Sequence, residues 1–186
     1  MLRAYRPTLA QLHVRPILTS HSFAAMSFPH PVILCGKTEA IGAVVIENLK
    51  PEFEGTLVHL PTCFPSLNYN AVVHFIQTVE IGKRQIPALL QGENPGSSGS
   101  ALGSRNYERT PVAVLLGAAF DDQGIEEMRD AAKGTKDVPW LRPDTSKPTP
   151  PPGPEYGKAM VARIKETVQS LEKEGRLEGN GEIVWF

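Results

Sequence analysis

The stretch PVILCGKTEAIGAVVIENLK, residues 31–50, decides how the rest of the chain is read. Val32-Ile33-Leu34-Cys35 is a short unbroken apolar run. A strand without polar alternation needs cover on both faces, as a central parallel strand has. Gly36 ends the run and lets the chain turn sharply. Beyond it, Ile41, Val44, Val45 and Leu49 recur at i, i+3, i+4 and i+8, one face of a helix. Thr38 stands where an N-cap belongs, and Pro51 closes the segment. The unit is strand, tight turn, helix.

The same unit recurs downstream. Val72 to Ile76 form a second apolar run, followed by helical spacing over about 79–91, with Pro87 expected to kink or shorten the helix. Residues 92–110, containing GENPGSSGSALGS, read as a flexible loop. Val112 to Leu116 make a third strand ending at Gly117. Asp121 or Asp122 can cap a third helix that turns Ile125, Met128 and Ala132 inward. Val138-Pro139-Trp140-Leu141 carries a proline, which points to an edge strand. Residues 143–154 hold six prolines, an extended polyproline connector. A last helix over about 155–174 carries Tyr156, Met160, Ile164, Val168 and Leu171, and Glu182 to Phe186 form a final strand or a docked tail. Alternating strands and helices imply crossover connections and a mostly parallel sheet with helices on both faces. The expected fold is α/β, a small doubly wound sheet of four to five strands, Rossmann-like.

Composition narrows the functional classes. Of 186 residues, 41% are hydrophobic, with 19 Lys and Arg against 20 Asp and Glu. A net charge of −1 provides no field to hold a polyanion, so a dedicated nucleic-acid binder is excluded. No apolar run is long enough for a membrane-spanning helix. Two cysteines, Cys35 and Cys63, make neither a disulfide framework nor a zinc site. Residues 1–28 read as a flexible extension or a targeting segment, because residues 1–38 lack acids and carry Arg3, Arg6 and Arg15 among Ser and Thr. Residues 29–186 form a single domain, interrupted at 55–71 by an insertion that far exceeds an ordinary αβ loop. The expected location is cytoplasmic, or mitochondrial if residues 1–26 are a transit peptide.

In an open parallel sheet, ligands bind beyond the carboxyl ends of the strands where strand order reverses. Gly36-Lys37-Thr38-Glu39-Ala40-Ile41-Gly42 is the first strand–helix turn. Its glycine, its lysine and the hydroxyl of Thr38 can meet a phosphate at the helix start. Only the first glycine of GxGxxG matches; Thr38 and Ile41 occupy the other two places. At the end of the second strand, where NAD binders place an acid, stand Gln77 and Thr78, with Lys83 and Arg84 following. A hydroxyl and two cations suit a 2′-phosphate, so NADP is expected over NAD. Without the insertion the distance from Gly36 to Gln77 shrinks from 41 positions to 24, close to the fingerprint spacing of about 20. Gly117 permits close ligand approach after the third strand. No metal site is expected.

Familiar catalytic constellations fail. Gly96-Ser97-Ser98-Gly99-Ser100 matches a serine-protease nucleophile motif, but no aspartate precedes Asp121, so the chain order His, Asp, Ser is impossible. Tyr156 and Lys158 lie two apart, not the four that would put both on one helical face. His74, inside a strand, reads as a satisfied core residue.

PVILCGKTEAIG, TPVAVLLGAAFDD, VPWLRPDTSKP and GPEYGKAMVARIKE together resemble a group of small, poorly characterised fungal proteins with a Rossmann-like NAD(P)-binding domain. The resemblance covers most of residues 30–170. It implies a nucleotide-binding type of fold and transfers no catalytic residue. The expected function is binding of a small-molecule nucleotide cofactor of the NADP type, as a minimal oxidoreductase or a cofactor sensor. The alternative is a noncatalytic interaction protein that reuses the fold, with a homodimer as one form.

Overall fold

A computed structural model describes residues 30–49, 72–97 and 99–186. The 1–28 extension and the 55–71 insertion lie outside them. The described residues form β1 (Val32–Cys35), α1 (Glu39–Asn48), β2 (Val72–Ile76), α2 (Val79–Leu90), β3 (Ala113–Leu116), α3 (Asp122–Ala131), β4 (Trp140–Arg142), α4 (Pro154–Lys173) and β5 (Ile183–Trp185). The strands make one sheet in the order β2-β1-β3-β4-β5, and every adjacent pair is parallel. The doubly wound α/β expectation holds.

The unbroken apolar run of β1 has its explanation in the layers. Val32 and Leu34 pack with Val45 and Ile46 of α1 and Met160, Val161 and Ile164 of α4. Ile33 and Cys35 pack on the opposite face with Ile86 and Leu89 of α2 and Ile125 and Met128 of α3. Each face of the sheet is thus covered by two helices, and alternate side chains of one strand go to different cores. In β2 an irregularity shifts the register between Val32 and Ile33, so that Ile33 stands beside His74.

Three local expectations change. β4 lies between β3 and β5 and is not an edge strand. Pro139 sits just ahead of it, where its missing N–H breaks no ladder, and its carbonyl accepts from Val114 N at 3.0 Å. β5 takes the edge. Pro87 does not shorten α2, which continues to Leu90. The carbonyl that loses its i+4 donor belongs to Lys83, an exposed residue within reach of water. The segment after α2 is also tethered. Ser104 N and Arg105 N donate to the Val72 and Val73 carbonyls, each at 2.9 Å, covering the free edge of β2. Gly103 permits this, with φ of +100° and a position where a Cβ would stand 2.7 Å from the Val73 oxygen.

Asp121 caps α3, its Oδ1 accepting from Gly124 N at 2.9 Å. Asp121→Ala should lower the unfolding free energy by about 1 kcal/mol, read by urea denaturation, because the helix loses the acceptor for one of its free N–H groups. No helix among the described residues is long and apolar enough to cross a membrane.

Candidate ligand cleft

β1 connects to β2 on one side and its other neighbour is β3, so the strand order reverses between β1 and β3. Each turn there is pinned by the adjoining strand. Gly36 N donates to Ile76 O at 2.9 Å and Gly117 N to Cys35 O at 2.8 Å. The two glycine turns lie side by side, and a Cβ on Gly117 would stand 3.5 Å from the Gly36 Cα.

A cleft of about 290 Å³ opens at this point. Gly36, Lys37 and Thr38 form one rim and Gly117, Ala118 and Ala119 another. Its walls come from Ile41 and Val45 of α1, Phe75 of β2, Tyr156, Met160 and Ile164 of α4, and the terminal Phe186. Parallel strands make this convergence. Each helix that follows a strand begins at the strand's carboxyl end, so α1 and α4, on the same face, both start beside the cleft. Phe75 is fully buried beneath α1. A Cβ on Gly42 would meet its Cε2 at 2.6 Å, and one on Gly36 at 3.2 Å. Gly42 therefore serves helix-on-strand packing, the task of the third glycine in the dinucleotide fingerprint.

The polar complement is small. Thr38 is the N-cap residue of α1 by backbone geometry, yet its side chain makes no capping bond. Lys37 is exposed and has no carboxylate partner among the described residues. Tyr156 is half-buried, and its hydroxyl likewise has no partner among them. Cys35 is fully buried, its side chain packs in the opposite layer, and desolvation pushes its thiol up to about 12, so it stays neutral and inert. Lys158, the residue two beyond Tyr156, is exposed and paired with Glu155 at 2.9 Å.

Of the residues singled out from sequence, Gly36, Lys37, Thr38 and Gly117 come together in this cleft. Thr78, Lys83 and Arg84 are not among its lining residues. They begin or ride on α2, in the opposite helical layer. The Thr78 hydroxyl accepts from Ile81 N at 3.2 Å, capping the helix. Lys83 holds Glu127 of α3 at 2.9 Å, and that bond keeps the Glu127 carboxyl below its ordinary range. Arg84 is exposed. Asp122 pairs with Arg142, and among the described residues no three His, Cys, Asp or Glu side chains gather as metal ligands. Sequence reading missed Phe75, Tyr156 and Phe186. The available signal was topological, since α4 also starts at a strand's carboxyl end.

A second polar group lies under the tethered segment. His74 is buried. Its Nε2 lies 3.0 Å from Gln85 Oε1, and its Nδ1 3.0 Å from the Tyr107 hydroxyl. The Gln85 amide nitrogen donates to Ser97 O at 3.0 Å, which turns its oxygen toward the imidazole. His74 therefore donates from Nε2 and accepts the Tyr107 proton at Nδ1, a neutral tautomer. Burial pushes its pKa down, the Gln85 bond opposes this, and the Arg105 charge adds to the lowering. It is the satisfied core histidine that its strand position suggests.

No family model matches the chain, and no solved structure matches it. It is similar to kojic acid related protein 6 of Aspergillus oryzae (strain ATCC 42149 / RIB 40), with 35% identity over 153 residues, 80% of this chain and 81% of that protein. At that identity and coverage the chain belongs to the same fungal family as that protein.

Proposed function

We propose that this protein binds a nucleotide-type cofactor in the cleft between β1 and β3, with phosphate at the Gly36–Thr38 turn. The observation that carries the reading is the lining itself. A largely apolar cleft at a topological switch point holds a few convergent polar groups, Lys37, Thr38 and Tyr156, that have no partner among the described residues. That combination is the usual form of a ligand site. Cofactor sensing suits the site better than a minimal oxidoreductase role, because no aspartate, glutamate or histidine is among the lining residues and the Cys35 side chain packs in the opposite layer.

Thermal denaturation of the purified protein with NADPH, NADH and flavin mononucleotide tests this. A ligand at a hundred times its Kd adds about 2.7 kcal/mol, raising Tm by about 5–10 °C for a chain of this size. A flat response to all three removes the nucleotide reading. The NADP form of the reading would need Thr78, Lys83 and Arg84, none of which lines this cleft. Replacing Lys83 and Arg84 together should therefore leave NADPH and NADH binding alike; a selective loss of NADPH would bring α2 into the site. The relative's name connects that protein with kojic acid, so kojic acid joins the titration. A shift with it and none with nucleotides would make a small oxygen-bearing ring the ligand.

A noncatalytic interaction role is the second reading, and one feature favours it. Trp185 on edge strand β5 is 53% exposed, the large exposed hydrophobic among the described residues. Sedimentation of the wild type and of Trp185→Ser would detect a dimer formed through that edge.

A further inference from the structure

We infer that the cleft selects a mononucleotide with one phosphate and an uncharged planar ring, of the flavin mononucleotide kind, and discriminates against dinucleotides. This rests on the nucleotide reading above and narrows it.

Three observations point the same way. First, a dinucleotide fold places glycine at the second fingerprint position so that pyrophosphate can approach the backbone. Here Thr38 occupies that position, and its uncommitted hydroxyl suits a terminal phosphate beside Lys37. Second, the groups that follow β2 lie outside the cleft: Thr78, Lys83 and Arg84 are not among its lining residues. The Thr78 hydroxyl caps α2, and the Lys83 ammonium is engaged by Glu127. Third, the space is about 290 Å³, at the small end of ligand pockets, which run from about 300 to 1,000 Å³. Its walls, Ile41, Phe75 and Met160, offer apolar surface and no charge to a ring. Tyr156, half-buried on the first turn of α4, supplies one hydroxyl for a ring carbonyl. A ring bearing a positive charge would find no aspartate or glutamate among the lining residues.

The test is titration of the full chain with flavin mononucleotide, riboflavin and NADPH, followed by flavin fluorescence and calorimetry. Riboflavin has the same ring without the phosphate. Flavin mononucleotide should bind at least about tenfold more tightly than either, the effect of one charge-assisted phosphate contact. Lys37→Met should bring its affinity down to that of riboflavin. Tyr156→Phe should weaken both flavins about tenfold while the Tm of the ligand-free protein stays at the wild-type value. NADPH binding as tightly as flavin mononucleotide, riboflavin binding equally well, or Tyr156→Phe without effect would each overturn this inference and leave the broader nucleotide reading standing. Silence with both nucleotides would overturn the two together.

Discussion

Phe75→Ala should lower the unfolding free energy by about 3–5 kcal/mol, the range for removing a fully enclosed aromatic side chain. The ring has no solvent exposure, and it meets α1 from below where Gly36 and Gly42 make room for it. Two contributions add. The transfer free energy of the ring is lost, and a void opens between β2 and α1 that the glycines cannot fill. The converse substitution tests the same contact. Gly42→Ala places a Cβ 2.6 Å from the ring and should cost about 1–3 kcal/mol by overpacking. In the Phe75→Ala background that clash has no partner, so the double variant should be more stable than the sum of the two losses predicts. Chemical denaturation of the four proteins in the cycle gives the coupling. Strict additivity would mean that Gly42 is present for some reason other than the ring.

His74→Leu should lower stability at pH 7.5 by about 1–3 kcal/mol, because the buried Gln85 oxygen loses its donor. The loss should shrink as the solution is acidified. In the folded protein the His74 pKa is lowered, chiefly by burial. The unfolded chain therefore takes up the proton first, near the ordinary value of about 6.5. The neutral histidine's contribution is complete above that pH and is lost as pH falls toward the folded pKa. Unfolding curves of both proteins from pH 7.5 to 5 measure the gap, and subtraction removes the contribution of the other histidines. A constant gap would mean that His74 titrates alike in both states. Because Gln85 also holds Ser97 and His74 also receives Tyr107, amide exchange in the 92–110 segment should quicken in the variant.

Strand positions were the most legible part of the sequence. β1 and β2 fall on the residues where unbroken apolar runs demand two covered faces, and that demand is local. The role of β4 was not legible, because a proline beside a strand signals an edge only when its nitrogen faces a neighbour. Pro139 lies ahead of the strand and faces β3, and the strand that covers the other flank of β4, β5, comes more than forty residues later. The loop after α2 was misread for a related reason. Its glycines and serines suggest freedom, yet Gly103 is there to let the backbone lie against Val73. The candidate site was half legible. Gly36, Lys37, Thr38 and Gly117 follow their strands directly, so local order places them at the crevice. Lys83 and Arg84 are near the end of β2 along the chain, but α2 covers the other face. Tyr156 and Phe75 enter the cleft through helix packing, which no spacing rule encodes.

The two flanks of the sheet are unequal. Along β2 the carbonyls of Val72 and Val73 are already occupied by Ser104 and Arg105, whereas among the described residues no further strand lies beyond β5, and Trp185 stands exposed there with the Arg142 guanidinium 4.7 Å from its ring centre. Accretion strand upon strand requires every copy to offer two adhesive sides. Among the described residues one such side stands open. Association by that route ends with a pair related by a two-fold axis, and a growing fibre has no second side on which to continue.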